Sequence, residues 1–202
     1  MRDPLGRLFP NLPREVRVVL DWVFTIAGAI LIVLALKAWV VNPYRIPSSS
    51  MEPTLHCAKP STGCEAHFSD RVLANRFIYR FRDPKRGEII VFKTPGTKPV
   101  CGTQHAGEVF VKRLIGLPGE HLSERDGYMY VNGVRLDEPY IQAGRRDTYP
   151  PRVWVVPKGE YFFMGDNRSS SCDSRTWGPV PRANIIGEVF FVYWPPNRIG
   201  FR

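Results

Sequence analysis

Hydrophobic and polar positions follow two different rules along this chain of 202 residues. Over residues 22–41 (WVFTIAGAILIVLALKAWVV) the apolar positions cover every face, with one charge, Lys37. At 1.5 Å per residue such a helix reaches about 30 Å, the thickness of a bilayer core. Lys37 lies near one end, where a lysine can snorkel to the interface. Trp22 and Trp39 fall where an aromatic belt would lie. A helix apolar on every face is either a buried core helix or a membrane span, and its length and its place ahead of the folded part favour the span. A cleaved signal peptide has an apolar core of roughly 7–15 residues and a small-x-small site; this run is longer, and Ala35-Leu36-Lys37-Ala38 makes a poor site. The pattern therefore predicts a single transmembrane anchor. Arg2, Arg7, Arg14 and Arg17 precede it, while the first ~15 residues after it carry only Arg45. The charge bias predicts a cytoplasmic stretch over residues 1–21, the anchor over 22–41, and an extracytoplasmic domain over 42–202.

Past the anchor the rule changes to short runs rich in branched and aromatic residues. They occupy residues 71–73, 88–92, 108–115, 128–136, 152–156, 160–164 and 185–194, and Pro, Gly and Asp separate them. These read as strands. Asn132-Gly133 between two short runs predicts a hairpin, because a type I′ turn needs positive φ at both central residues. No amphipathic helices alternate with the strands, which argues against a parallel α/β sheet. Residues 93–107 and 142–151 read as exposed loops. The fold class expected is mainly β.

Composition sharpens this picture. Seventeen glycines and 19 prolines exclude a bundle of long helices, since an interior proline costs a helix ~3 kcal/mol. A hydrophobic content of 44% excludes wholesale disorder. The net charge is +9; residues 1–41 hold five Lys/Arg and three Asp/Glu, leaving +7 on the rest. A basic surface suits nucleic acid or an anionic membrane face. No basic run, zinc knuckle or RNP-type motif favours nucleic acid, so the bilayer is the partner expected. Four cysteines, Cys57, Cys64, Cys101 and Cys172, allow three complete pairings. Cys57–Cys64 is favoured because it closes a short loop around Pro60 and Gly63; Cys172 is then free or paired with Cys101. His56-Cys57…Cys64…His67 also offers four zinc ligands, but the spacing fits no standard zinc motif.

Three segments carry candidate chemistry. Residues 46–55 (IPSSSMEPTL) place serines close to the anchor, although the same residues would suit a plain Ser/Pro linker. The Gly-x-Ser-x-Gly and Ser-x-x-Lys signatures are absent, and no histidine stands in a triad context. A serine can instead be activated by a neutral lysine, which burial favours by disfavouring the charged form. Among seven lysines, Lys112 sits best for this, in the apolar run 108–115. Arg113 would then face the opposite side of the sheet. On its own, Lys112 would equally serve as a surface lysine of a strand. The third segment, residues 162–179, is a dense polar loop after an apolar run; it suits a hydrogen-bonded turn or a support for a catalytic group.

Together these segments resemble bacterial type I signal peptidases, the membrane-anchored Ser–Lys endopeptidases of the S26 family. Residues 47–55 match that family's Pro-Ser-x-Ser-Met-x-Pro-Thr-Leu box. Lys112-Arg113-Leu114-Ile115-Gly116-Leu117-Pro118-Gly119-Glu120 matches its lysine box, and residues 165–178 its Gly-Asp-Asn-Arg-x-x-Ser-x-Asp-Ser-Arg-x-x-Gly box. Residues 70–92 are similar to the remaining one. The resemblance implies a β-rich catalytic core with a smaller β insertion at roughly residues 121–160. It implies Ser50 as nucleophile and Lys112 as general base. Ser48 and the Ser50 N–H would form the oxyanion hole, Ser171 would orient Lys112, and Asp173 and Arg175 would form a supporting ion pair. Tyr44, Ile46 and Val111 would line pockets for small residues. The implied substrate is the signal peptide of exported preproteins at the cell membrane, and no cofactor or metal is called for.

Three departures stand out: Ser169-Ser170 replaces an Asp-Asn pair common in relatives, one anchor is read where many relatives from bacteria with an outer membrane have two, and residues 56–67 form a longer segment than expected. Phe77, Ile78, Tyr79 and Phe81 either rest on lipid or belong to the core. A Ser–Lys relative with another substrate and a non-catalytic β module that binds peptide by strand addition are the competing classes. Oligomeric state is not legible.

Overall fold

The computed structural model describes residues 13–39, 41–96, 101 and 107–202. Arg2, Arg7, His105, most of the 93–107 loop, and the side chains of Lys37 and Trp39 lie outside the described residues. Two compact units make up the chain, Met1–Val41 and Asn42–Arg202.

The first unit holds a helix over Arg14–Trp39, 26 residues long. Its stretch Arg14–Leu34 is long and apolar enough to cross a membrane. The helix opens ahead of Trp22, because Val16, Val18, Val19 and Leu20 extend the apolar pattern between charged positions. Trp22, Phe24 and Leu31 stand exposed on it. Val41, the last residue of the apolar run, is already the first residue of a strand.

Among the described residues of the second unit, twelve strands form two sheets. They are β1 Val41–Arg45, β2 Arg71–Asn75, β3 Ile89–Lys93, β4 Val109–Gly116, β5 His121–Arg125, β6 Tyr128–Val131, β7 Val134–Arg135, β8 Arg152–Val155, β9 Glu160–Met164, β10 Val180–Pro181, β11 Ile185–Trp194 and β12 Gly200–Phe201. The larger sheet runs β1-β2-β11-β3-β4-β9-β10, with β12 on β11. The smaller runs β7-β6-β5-β8 and lies within the segment expected to be an insertion. Asn132 and Gly133 have φ of 50° and 83°, so the β6–β7 hairpin turns as its dipeptide requires.

Four strands were not legible. β1 contains Pro43 and survives because it is an edge strand, where a missing N–H is tolerated. The inward positions of β5 are Leu122 and Glu124, so a buried carboxylate breaks the apolar alternation. β10 and β12 are two residues each.

Side chains alternate across β3 and β4, and this divides the core. Ile89 and Val91 join Ile46, Met51, Leu55, Val72 and Val189 in one cluster, against which Val111 and Tyr44 pack. Ile90 and Phe92 join Leu114 and Phe163 in a second. There Phe92 and Phe163 stack with centroids 4.3 Å apart. A third cluster, with Ile115, Leu122, Met129 and Phe162, ties the two sheets together. The doubtful aromatic run divides by residue. Tyr79 is 8% exposed and Ile78 packs on the second cluster, while Phe77 and Phe81 are 37% and 72% exposed and meet edge-to-face.

Candidate active site

The site forms where the 3-10 turn Ser49–Met51 meets β4 and the loop after β9. Met51 and Leu55 anchor the turn by burying themselves in the first cluster. Two residues of the facing loop hold its backbone and flank. Asn167 donates its Nδ2 to the Ser49 carbonyl and its N–H to the Ser50 carbonyl, both at 3.1 Å. Asp166 accepts the Thr54 hydroxyl at 2.5 Å and two guanidinium bonds from Arg113 at 2.8 and 2.6 Å. Arg113 thus turns away from its neighbour Lys112, as alternation requires.

Lys112 pairs in register with Ile90 and is 1% exposed. Its Nζ is hydrogen-bonded to Ser50 Oγ. Burial is the main reason its pKa falls from 10.5 to about 8; the Arg175 charge lowers it further, while Asp173 and Asp166 oppose the fall. An amine of this pKa is partly neutral near pH 7–8, and its lone pair can then accept the serine proton. Ser48 Oγ lies 3.2 Å from Ser50 Oγ. The pair opens on a cavity of about 280 Å³ with apolar walls from Ile46, Met51, Phe110 and Val111. A serine, a buried amine of lowered pKa and a second hydroxyl beside a small apolar cavity suit acyl transfer.

The sequence carries the matching signature. A family model described as signal peptidase, peptidase S26, matches residues 19–194. This chain belongs to the S26 signal peptidase family. Curated relatives agree. A probable signal peptidase I-2 of Synechocystis sp. is 40% identical over 177 residues, 87% of this chain and 73% of that protein. A signal peptidase I of Leptolyngbya laminosa is 36% identical over 199 residues, 98% and 91% of the two chains. A signal peptidase IB of Staphylococcus aureus is 31% identical over 193 residues, 88% and 90% of the two chains.

Behind the lysine of this S26 chain stands a buried ion network. Asp173 accepts from Arg175 Nε and Nη2, both at 2.9 Å, and from the Gly165 N–H at 3.1 Å. Burial pushes the Asp173 pKa up, but the Arg175 bonds and charge and the Lys112 charge outweigh it, so the group stays ionised below its ordinary range. Arg175 also donates to Asp147, to Glu124 at 3.5 Å and to the Arg168 carbonyl at 2.8 Å. Burial raises the Glu124 pKa to about 7; Arg175 opposes the rise and Asp147 adds to it.

One expectation needs correction. The Ser171 hydroxyl is buried and makes no hydrogen bond, to Lys112 or to any other described group. Its side chain lies over Gly165, where a Cβ would collide with it and with the Ser50 carbonyl. Cys172, the next residue, is tied to Cys101, and both line the cavity. Tyr44 packs on the first cluster and does not line that cavity, whereas Ile46 and Val111 do.

Cys57 and Cys64 are bonded to each other, so the His56-Cys57…Cys64…His67 set offers no thiolate for zinc. Glu52 was missed altogether. It is buried, is hydrogen-bonded to His56 Nδ1, and accepts the Cys57 N–H at 3.1 Å, which fixes the chain leaving the serine turn. Nothing in its local sequence marks it. Asp166 and Asn167 lie in the polar loop already singled out. Glu124 and Asp147 carry no local signal, because only the packing of the small sheet brings them to Arg175.

Proposed function

We propose that this chain removes N-terminal signal peptides from exported preproteins, with Ser50 as nucleophile and Lys112 as general base. The observation that carries this reading is the buried Lys112–Ser50 hydrogen bond beside a small apolar cavity, in a chain of the S26 family. Neutral Lys112 takes the Ser50 proton as Oγ attacks the scissile carbonyl. Negative charge on the carbonyl oxygen falls to the Ser48 hydroxyl and the Ser50 N–H; one such donor is worth roughly 2.7–4 kcal/mol in comparable hydrolases. The protonated lysine then gives its proton to the leaving amine and later draws one from water as the ester is hydrolysed. Proton and electron pair balance among serine, lysine, peptide and water, so the steps call for no cofactor.

Signal-peptide sites carry small residues before the cut. The cavity walls at Ile46 and Val111 suit such side chains, and Tyr44 packs on the same cluster that holds Ile46. Asp173 and Arg175 set the charge around Lys112, and the Ser171 side chain packs over Gly165 in the same loop. The apolar helix anchors the chain in the cell membrane with residues 1–21 on the cytoplasmic side and 42–202 outside. The flanking arginines and the two disulfides, which persist in oxidising compartments, both support that orientation. Exposed Phe77 and Phe81, beside Arg76, Arg80 and Arg82, suit contact with lipid headgroups.

The test uses full-length protein in detergent or liposomes and a preprotein with an Ala-x-Ala site, the cut position read by mass spectrometry. Cleavage after Ala-x-Ala, lost in Ser50→Ala and in Lys112→Ala, is expected. Cleavage that survives Lys112→Ala would mean that another group is the base.

A further inference from the structure

Beside the Ser50 cavity lies a second, polar depression of about 480 Å³ that none of the assigned roles uses. Its walls include Lys59, Glu65, Arg145, Asn167, Ser169 and Ser170. Ser170 lines both depressions, so they adjoin at that residue. One wall is the Cys57–Cys64 loop, part of the segment that is longer here than the family pattern leads one to expect. Gly63 of that loop, at φ +76°, lies against the Ser49 side chain so closely that a Cβ would meet Ser49 Oγ at 2.7 Å. The opposite wall is bound to the active-site loop, because the Ser169 N–H donates to the Arg145 carbonyl at 3.0 Å.

The depression is positively biased. Arg145 is paired with Glu65, whose side chain is 50% exposed, and the exposed Lys59 ammonium has no ion pair among the described residues. Two cations therefore face one carboxylate.

We propose that this groove receives the first residues of the mature protein and favours a carboxylate side chain among the first three of them. The inference rests on the proposed peptidase reading and deepens it. Small residues before the cut fill the apolar cavity, and their last carbonyl sits at Ser50 Oγ. The chain beyond that carbonyl must leave the cavity, and Ser170 marks where the neighbouring groove begins. A carboxylate entering there meets unpaired Lys59 and competes with Glu65 for Arg145. The groove acts before the leaving amine departs, so it acts on kcat/KM. Exposed ion pairs of this type change such a constant by about two- to fivefold, and salt screens them.

The experiment measures kcat/KM of the full-length protein in detergent on preproteins that share one signal peptide and one Ala-x-Ala site. They differ only by Asp, Asn or Lys placed at each of the first three positions after the cut. We expect Asp to exceed Lys about two- to fivefold at one or more of these positions, with the ratio collapsing toward one in high salt. Lys59→Glu should reverse the order of the Asp and Lys substrates. Glu65→Gln, which releases Arg145, should widen the preference for Asp. Equal rates on all three substrates, or an order untouched by Lys59→Glu, would overturn the assignment while leaving the peptidase reading intact. No cleavage of any substrate by the wild type would overturn the peptidase reading and this one with it.

Discussion

Replacing Lys112 with methionine should abolish cleavage and at the same time stabilise the fold. The lysine is wholly buried, and burial drives its pKa from 10.5 to about 8. The unfolded chain holds this proton up to about pH 10.5, whereas the folded chain gives it up at about 8. Below pH 8 folding therefore carries the full penalty, about 3 kcal/mol at 1.36 kcal/mol per pKa unit. Between pH 8 and 10.5 the unfolded state binds more protons than the folded one, so wild-type stability rises with pH and the penalty disappears. Methionine has nearly the same length and no charge. It forfeits the bond to Ser50, worth ~1 kcal/mol net. The variant should thus be more stable than wild type by about 2 kcal/mol at pH 7, which for a protein of this size raises Tm by roughly 4–8 °C. The assay is thermal denaturation of both full-length proteins in one detergent, followed by circular dichroism at pH 7 and at about pH 10.5. The advantage should vanish or reverse at the higher pH. A methionine variant less stable at pH 7, or a gap that does not change with pH, would refute the claim that Lys112 is held strained and partly neutral by burial.

Only unprotonated Lys112 can accept the serine proton, so kcat/KM of the wild type should rise with pH through an inflection near 8. Asp173→Asn removes a carboxylate that favours the charged lysine and leaves the opposing Arg175 charge, so the inflection should move to lower pH; an upward shift would contradict the charge assignment. Glu138→Leu leaves the guanidinium of Arg168 buried without its carboxylate partner; a loss of about 3–5 kcal/mol in a denaturation titration is expected, and a loss below about 1 would show the pair to be dispensable. Gly165→Ala drives a methyl group into the Ser50 carbonyl and the Ser171 side chain; cleavage should fall roughly 100-fold with the fold retained, as displacement of a reacting group by about 1 Å does, and an unchanged rate would mean that the serine turn is free to shift.

Much of this molecule is written in short stretches of its chain. An apolar run without a polar face predicts a long helix whatever surrounds it, and Asn132-Gly133 predicts its hairpin because positive φ is a local property. The strands that bury one or both faces in apolar clusters announce themselves by composition, β3 most plainly. The serine and lysine boxes mark their residues by type and order. Tertiary structure alone decided the rest, because it depends on groups far apart along the chain. Ser50 and Lys112 are 62 positions apart, and their bond exists only because a turn anchored by Met51 packs against β4. The lysine's low pKa is set by the desolvation that this packing imposes. Strand β5 was hidden because its inward Glu124 serves Arg175 and not the apolar core. Ser171 was placed on Lys112 by motif, yet its loop, tied through Cys172 to Cys101, lays its hydroxyl over Gly165. Local sequence sets backbone preferences over a few residues; burial and charge pairing are set by whichever distant groups the fold brings against them.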